Sequence, residues 1–200
     1  MTVASNSNQP LLVAITGATG VIYGVEMLRV LKHLGQQTHL ILSEAACLTL
    51  AIETDFSIEE VKALADVVYP NRDIGAAVAS GSFLTRGMIV APCSIKTLSA
   101  IANSYSANLI ARAADVTLKE RRPLVLMVRE TPLHKGHLEL MARAADCGAI
   151  ILPPMPAFYD KPATLMDIVH QGVSRALDLV GIEHSLGKRW AGHATTAPGK

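Results

Sequence analysis

The chain has 200 residues, half of them hydrophobic and 18% charged, with a formal net charge of +1. That length suits one domain burying roughly 70% of its unfolded surface, enough to fold without a disulfide or metal staple. Near-neutral charge argues against a phosphate-backbone binder. The three cysteines, Cys47, Cys93 and Cys147, form no CxxC pair and argue against a disulfide framework or zinc knuckle. No apolar run approaches the roughly 18 residues of a membrane span, and the polar start has no leader pattern. The expectation is a cytoplasmic chain with no nucleic-acid partner and no membrane span.

In chain order, residues 1–10 read as a disordered tail, and Leu11-Leu12-Val13-Ala14-Ile15 as a buried strand ending in a glycine turn. Helical spacing over 21–34, closed by Gly35, predicts the first helix. A strand over 38–42, helices over 44–52 and 58–64 and a short strand over 67–69 follow. Residues 71–86 contain the small, polar Ala79-Ser80-Gly81-Ser82 and read as mostly loop. A strand over 88–91 meets Pro92, and helices over 95–102 and 109–119 come next. The apolar run 123–128 is a strand, 136–147 a helix and 149–152 the last strand. Four prolines make 153–162 a constrained loop, 165–179 is the closing helix, and 191–200 reads as a disordered tail. Alternating strands and helices with short connections predict an α/β, three-layer Rossmann-like fold over 11–190, with a central parallel sheet. Ligands of such sheets bind at the carboxyl ends of the strands.

The residues at those ends carry the functional reading. Thr16-Gly17-Ala18-Thr19-Gly20 leads into a helix N-terminus, where glycines admit a phosphate and the helix dipole favours it. No GK[ST] follows, so this is not a P-loop. Ser43 caps the next helix, bonds a ligand, or does both. Lys96 stands in the first turn after Cys93-Ser94 and opposes the helix dipole; a bound anion or plain solvent exposure explains it equally well. Arg129-Glu130 follows a wholly apolar strand. Two charges there pair with each other or serve a function, and the polar residues at the other strand ends favour function. Arg112, Asp115 and Lys119 share one helix face, as an ion-pair ladder or an anion clamp. Arg121 and Arg122 read as a solvated helix end. The seven histidines form no metal site; His134 and His137 fit exposed or capping roles.

Taken together, Thr16–Gly20, Pro92-Cys93-Ser94-Ile95-Lys96-Thr97-Leu98, Arg112 to Asp115 with Lys119-Glu120, Arg129-Glu130 and Pro153 to Tyr159 resemble the flavin prenyltransferases of the UbiX type. The resemblance runs from about Leu11 to Trp190. It implies transfer of the dimethylallyl group of dimethylallyl monophosphate to N5 and C6 of reduced FMN, without a metal. The product, prenylated FMN, serves a UbiD-type decarboxylase. Carried over, Gly17, Ala18, Thr19, Ser43, Ser94, Ile95, Lys96, Thr97 and Arg129 contact FMN. Lys119, Arg129, Glu130, Tyr159 and Arg175 surround the prenyl phosphate, and Glu130, Glu53, Thr19 and Lys119 are the expected catalytic residues. A homo-oligomer of trimers forming a dodecamer is implied too. Trp190 then docks on a neighbouring subunit or packs within its own chain. Two departures are Thr19, where many relatives have serine, and the segment 131–137.

Three other readings compete. Ser106-Ala107-Asn108 is similar to a motif of flavin-dependent cysteine decarboxylases, which use an early histidine; the helix after the glycine turn offers only His33. A nicotinamide-dependent reductase needs an acidic residue where Ser43 stands. A non-catalytic FMN carrier leaves the charged set around Arg129 without a purpose.

Overall fold

A computed structural model describes residues 9–187. Trp190 and the expected tail 191–200 lie outside the described residues, as do residues 1–8 of the N-terminal tail. Gln9 and Pro10 are tied down: their carbonyls accept hydrogen bonds from Gln36 Nε2 (2.9 Å) and the Arg86 N–H (3.0 Å).

Six parallel strands form one sheet: β1 (Leu11–Ile15), β2 (Thr38–Leu42), β3 (Val67–Pro70), β4 (Gly87–Cys93), β5 (Leu124–Val128) and β6 (Ile150–Ile151), in the order β3-β2-β1-β4-β5-β6. Leu11 lies beside Thr38 on one side and Gly87 on the other. Helices α1 (Ile22–His33), α2 (Glu44–Glu53), α3 (Ile58–Lys62), α4 (Ile95–Ala102), α5 (Leu109–Lys119), α6 (Lys135–Asp146) and α7 (Leu165–Leu179) connect and close it.

Strand side chains alternate between two faces, so a strand buried on both sides has to be apolar throughout. In β1, Leu11, Val13 and Ile15 enter a core shared with Val25, Leu28 and Leu31 of α1 and Val173 and Leu177 of α7. Leu12 and Ala14 face the opposite core, with Leu98 of α4 and Leu109 and Ala113 of α5. The three expected layers follow from this alternation. Full burial of each large aliphatic side chain stabilises by about 1.5–3 kcal/mol. Helix starts are set locally: Ser43, Ser57, Ser94, Asn108 and Thr164 each accept a hydrogen bond from an N–H in the first turn.

Two expectations change. Proline donates no ladder bond, which suggested that the fourth strand stops at Ala91. The strand instead runs to Cys93 with a register shift between Val90 and Cys93, and the Pro92 carbonyl becomes an anchor for Thr16. Arg122 is not solvated. Its guanidinium donates to the carbonyls of Gly81 and Phe83, both at 2.8 Å, and so pins the irregular segment 71–86, which contains one 3-10 turn at Ala77–Ala79. His39 is also internal. It lies against the rings of Tyr69 and Phe83 and 3.0 Å from the Tyr69 hydroxyl, and burial lowers its pKa.

Candidate functional site at the carboxyl edge of the sheet

The strand order reverses direction between β1 and β4, and the crevice opens there. Thr16, almost wholly buried, ties the two strand ends together. Its hydroxyl donates to the Pro92 carbonyl and accepts from the Ser94 N–H, both at 2.8 Å. Gly17 and Thr19 follow on the exposed turn. A Cβ on Gly17 would lie 2.3 Å from the Ala45 Cβ, so only glycine lets the turn approach the start of α2. Gly20 has φ +89°, a backbone region that glycine adopts without strain.

Glu53 changes the electrostatics of that turn. Reaching across from the end of α2, its Oε2 accepts the N–H groups of Gly20 (2.8 Å) and Val21 (3.2 Å). No side chain of Val21 caps α1, so the Glu53 carboxylate does so. The turn Thr16–Gly20 was expected to hold a phosphate on these N–H groups, but a carboxylate already occupies two of them. α2 and α4 also begin at this edge. α2 carries Glu44 in its first turn, which repels an anion. α4 has no acidic residue in its first turn and carries the exposed Lys96 there, with Ser94 and Thr97 beside it. Of the starts of α1, α2 and α4, the helix dipole and the side-chain charges together favour an anion at α4.

β5 delivers Arg129 and Glu130 to the same edge. They do not pair with each other. The Glu130 Oε1 accepts the Thr131 N–H at 3.0 Å, and the Arg129 backbone N–H donates to the Cys93 carbonyl at 3.1 Å. Among the described residues the half-buried Arg129 guanidinium forms no ion pair. An uncompensated, partly desolvated cation at a strand end is prepared for an anionic or polar ligand.

Between α7 and the proline-rich loop, reached by Met127 of β5, is a cavity of about 90 Å³. Met127, Leu152 and Pro153 make an apolar side; Tyr159, Gln171 and Arg175 make a polar one. Gln171 holds the loop by a two-way bond to Ala157, accepting its N–H at 3.1 Å and donating to its carbonyl at 3.0 Å. Gly172 lets α7 come close: a Cβ there would be 2.8 Å from the Tyr23 ring and 3.4 Å from the Met127 Cε. Burial of Tyr23 raises its phenol pKa.

Glu53, Thr19, Ser43, the 94–97 turn, Arg129, Glu130, Tyr159 and Arg175 thus stand along one edge. Lys119 does not join them. α5 starts beside Asn71, just past the carboxyl end of β3, and rises about 1.5 Å per residue away from that edge. Lys119, ten residues on, therefore lies about 15 Å below, against Gly81 and paired with Glu120. Arg112 is bound to the Ala79 carbonyl (3.2 Å) and Asp115 (3.3 Å), so the expected three-member ladder reduces to one pair. His33 sits at the far end of α1.

His134 and His137 stack with ring centroids 3.5 Å apart, and the buried His137 Nδ1 has no hydrogen-bond partner. No group of three or more potential metal-ligating side chains converges among the described residues. Sequence reasoning passed over Thr16 as a cross-link, and Met127, Gln171 and Gly172 as cavity walls. Only Gly172, an interruption in a helical pattern, left a visible signal.

A Flavoprotein family model matches residues 2–176. The flavin prenyltransferase UbiX of Escherichia coli K12 is 57% identical over 185 residues, covering 91% of this chain and 98% of that protein. The chain belongs to the flavin prenyltransferases of the UbiX type. A crystal structure of AnUbiX in complex with FMN and dimethylallyl pyrophosphate superposes with a TM-score of 0.91 at 46% identity, covering 94% of this chain and all of that one. A dodecameric FMN-dependent UbiX-like decarboxylase from E. coli O157:H7 gives 0.89 at 48% identity, covering 92% and 100%. Membership in this family sets aside the cysteine decarboxylase and reductase readings. No helix among the described residues is long and apolar enough to cross a membrane.

Proposed function

We propose that this chain transfers the dimethylallyl group of dimethylallyl monophosphate to N5 and C6 of reduced FMN, producing prenylated FMN. The observation that carries the reading is the small cavity lined by the apolar Met127, Leu152 and Pro153 together with Tyr159 and Arg175, with Met127 two residues along β5 from the unpaired Arg129. An allylic phosphate has that shape: a short branched hydrocarbon with an anionic head. The AnUbiX structure with FMN and dimethylallyl pyrophosphate supports the pairing of these two ligands in a close relative.

FMN, when bound, supplies the electron-rich ring that accepts the allyl group. Ser94, Lys96, Thr97 and the α4 N-terminus hold its phosphate. Gly17, Ala18, Thr19 and Ser43 would contact FMN too, and Arg129 would contact both FMN and the prenyl phosphate. During transfer the allylic C–O bond breaks and inorganic phosphate leaves. Arg175, Arg129 and Tyr159 stabilise the negative charge that grows on it. Glu130 moves a proton to or from the phosphate, and Glu53 takes the proton released near the flavin. Met127, Leu152 and the prolines exclude water from the allyl group, which would otherwise capture a developing cation.

Lys119 and Arg112 serve the site from a neighbouring copy, because their own chain places Lys119 away from the crevice. A homo-oligomer of trimers building a dodecamer provides that neighbour, as the dodecameric relative suggests. A UbiD-type decarboxylase in the cytoplasm receives the product. The test is mass spectrometry of flavin extracted after anaerobic incubation of the protein with reduced FMN and dimethylallyl monophosphate. A five-carbon mass increase is expected; unmodified FMN refutes the reading. Glu130→Gln should retain FMN and lose alkylation.

A further inference from the structure

The chain does not simply leave the molecule after α7. It turns at Gly181, whose φ of +67° reverses the backbone, and Arg86 holds the turn through the carbonyls of Val180 and Gly181. Residues 182–187 then run back along α7, with Ile182 buried and Leu186 packed against the same core. This return brings Gly187 to the cavity wall, beside Ser174 and Arg175.

One side chain fastens it. The His184 side chain is only 2% exposed. Its Nδ1 accepts the Leu186 N–H at 3.1 Å, which places the ring proton on Nε2. That Nε2–H faces the Ser174 carbonyl at 3.1 Å and the Asp178 Oδ1 at 3.3 Å. The other oxygen of Asp178 accepts from the Arg175 guanidinium at 2.9 Å. Asp178 is thus shared between the returning segment and the cavity's cation. Arg175 is 62% exposed, and without such a partner its long side chain would sample many rotamers in solvent.

We infer that Asp178 and His184 act together as positioning residues, aiming Arg175 at the head of the anionic substrate and holding the 182–187 strap as one wall of the cavity. The inference deepens the proposed function, because it rests on Arg175 binding the allylic phosphate. Neither residue touches the reacting atoms; both act through Arg175, which binds the phosphate and stabilises the charge that grows on it, so their loss lowers kcat/KM.

The experiment is steady-state kinetics with dimethylallyl monophosphate on the full chain loaded with reduced FMN. Asp178→Ala and His184→Leu should each lower kcat/KM for dimethylallyl monophosphate about five- to tenfold, with FMN affinity unchanged. His184→Gln, which restores a side-chain N–H donor, should recover part of the loss. Asp178→Asn provides the same arm should the alanine variant fail to fold. The double variant should be no worse than Asp178→Ala alone, as members of one unit are non-additive. Arg175→Ala separates the two failures. If it lowers kcat/KM and the Asp178 and His184 variants do not, the positioning role is overturned. If Arg175→Ala itself leaves kcat/KM unchanged, the phosphate role of Arg175 falls and this inference with it.

Discussion

Gly17→Ala probes the crevice with one methyl group. The new Cβ would lie 2.3 Å from the Ala45 Cβ, 2.9 Å from its carbonyl carbon and 3.1 Å from its Cα. Two of these are backbone atoms at the start of α2, where Ser43 caps the helix, so the neighbour cannot turn aside as a flexible side chain would. Overpacking of this kind costs about 1–3 kcal/mol. The turn itself is exposed, so it relieves the strain by moving outward, away from α2 and from the flavin ring. The cost then appears as FMN affinity, a loss of roughly five- to 150-fold. Quenching of free-FMN fluorescence on binding measures it. Gly17→Ala/Ala45→Gly removes the closest contact and should recover part of the affinity. Gly24→Ala is the contrasting control. Its Cβ would meet the Ala91 carbonyl oxygen at 2.4 Å and the Ile15 side chain at 2.6 Å inside the core, so it should cost stability more than affinity. Wild-type FMN affinity in Gly17→Ala would refute the placement of flavin on this turn.

Other outcomes follow from the same geometry. Lys119→Ala and Glu130→Gln should each be inactive as pure proteins. Mixed oligomers made by co-expression should regain activity if Lys119 reaches the crevice of another copy; no recovery would put that role aside. Asp167 accepts the N–H groups of Ala163 and Thr164, which hold its carboxyl below the usual carboxylate range. Its contribution to stability is therefore present above the unfolded pKa near 3.8 and is lost as pH falls through the lower folded value. Asp167→Asn should melt lower than the parent at pH 7, with the gap closing below pH 3.8; a pH-independent gap counts against the charged cap. Burial pushes the Cys93 thiol up to about 12. Iodoacetamide at pH 8 should leave Cys93 unmodified in the folded protein and label it after unfolding, as peptide mass mapping would show.

Much of the architecture was written in local pattern. A strand buried on both faces has no alternative to an unbroken apolar run, so Leu11–Ile15 and Leu124–Val128 were readable directly, and Ser43 marked the start of α2. The glycine turn, Ser94–Thr97 and Arg129-Glu130 stood at strand ends by position alone. Their resemblance to a flavoprotein family then supplied the ligands. Pro92 misled because ladder arithmetic ignores a carbonyl that another strand can use, and Arg122 misled because its three acceptors lie some forty residues earlier in the chain.

What the sequence determined by itself, then, was the layering, the edge at which ligands bind and the side chains brought to it by β1, β4 and β5. Tertiary structure alone decided how those charges are spent. Glu53 reaches over thirty residues back to occupy the N-terminus of α1, which leaves the anion site to α4. The length of α5 carries Lys119 away from the crevice that its motif seemed to share. Asp178 joins Arg175 to a segment folded back on α7. Each depends on distances between elements remote in the chain, and electrostatic preference follows those distances rather than the order of residues.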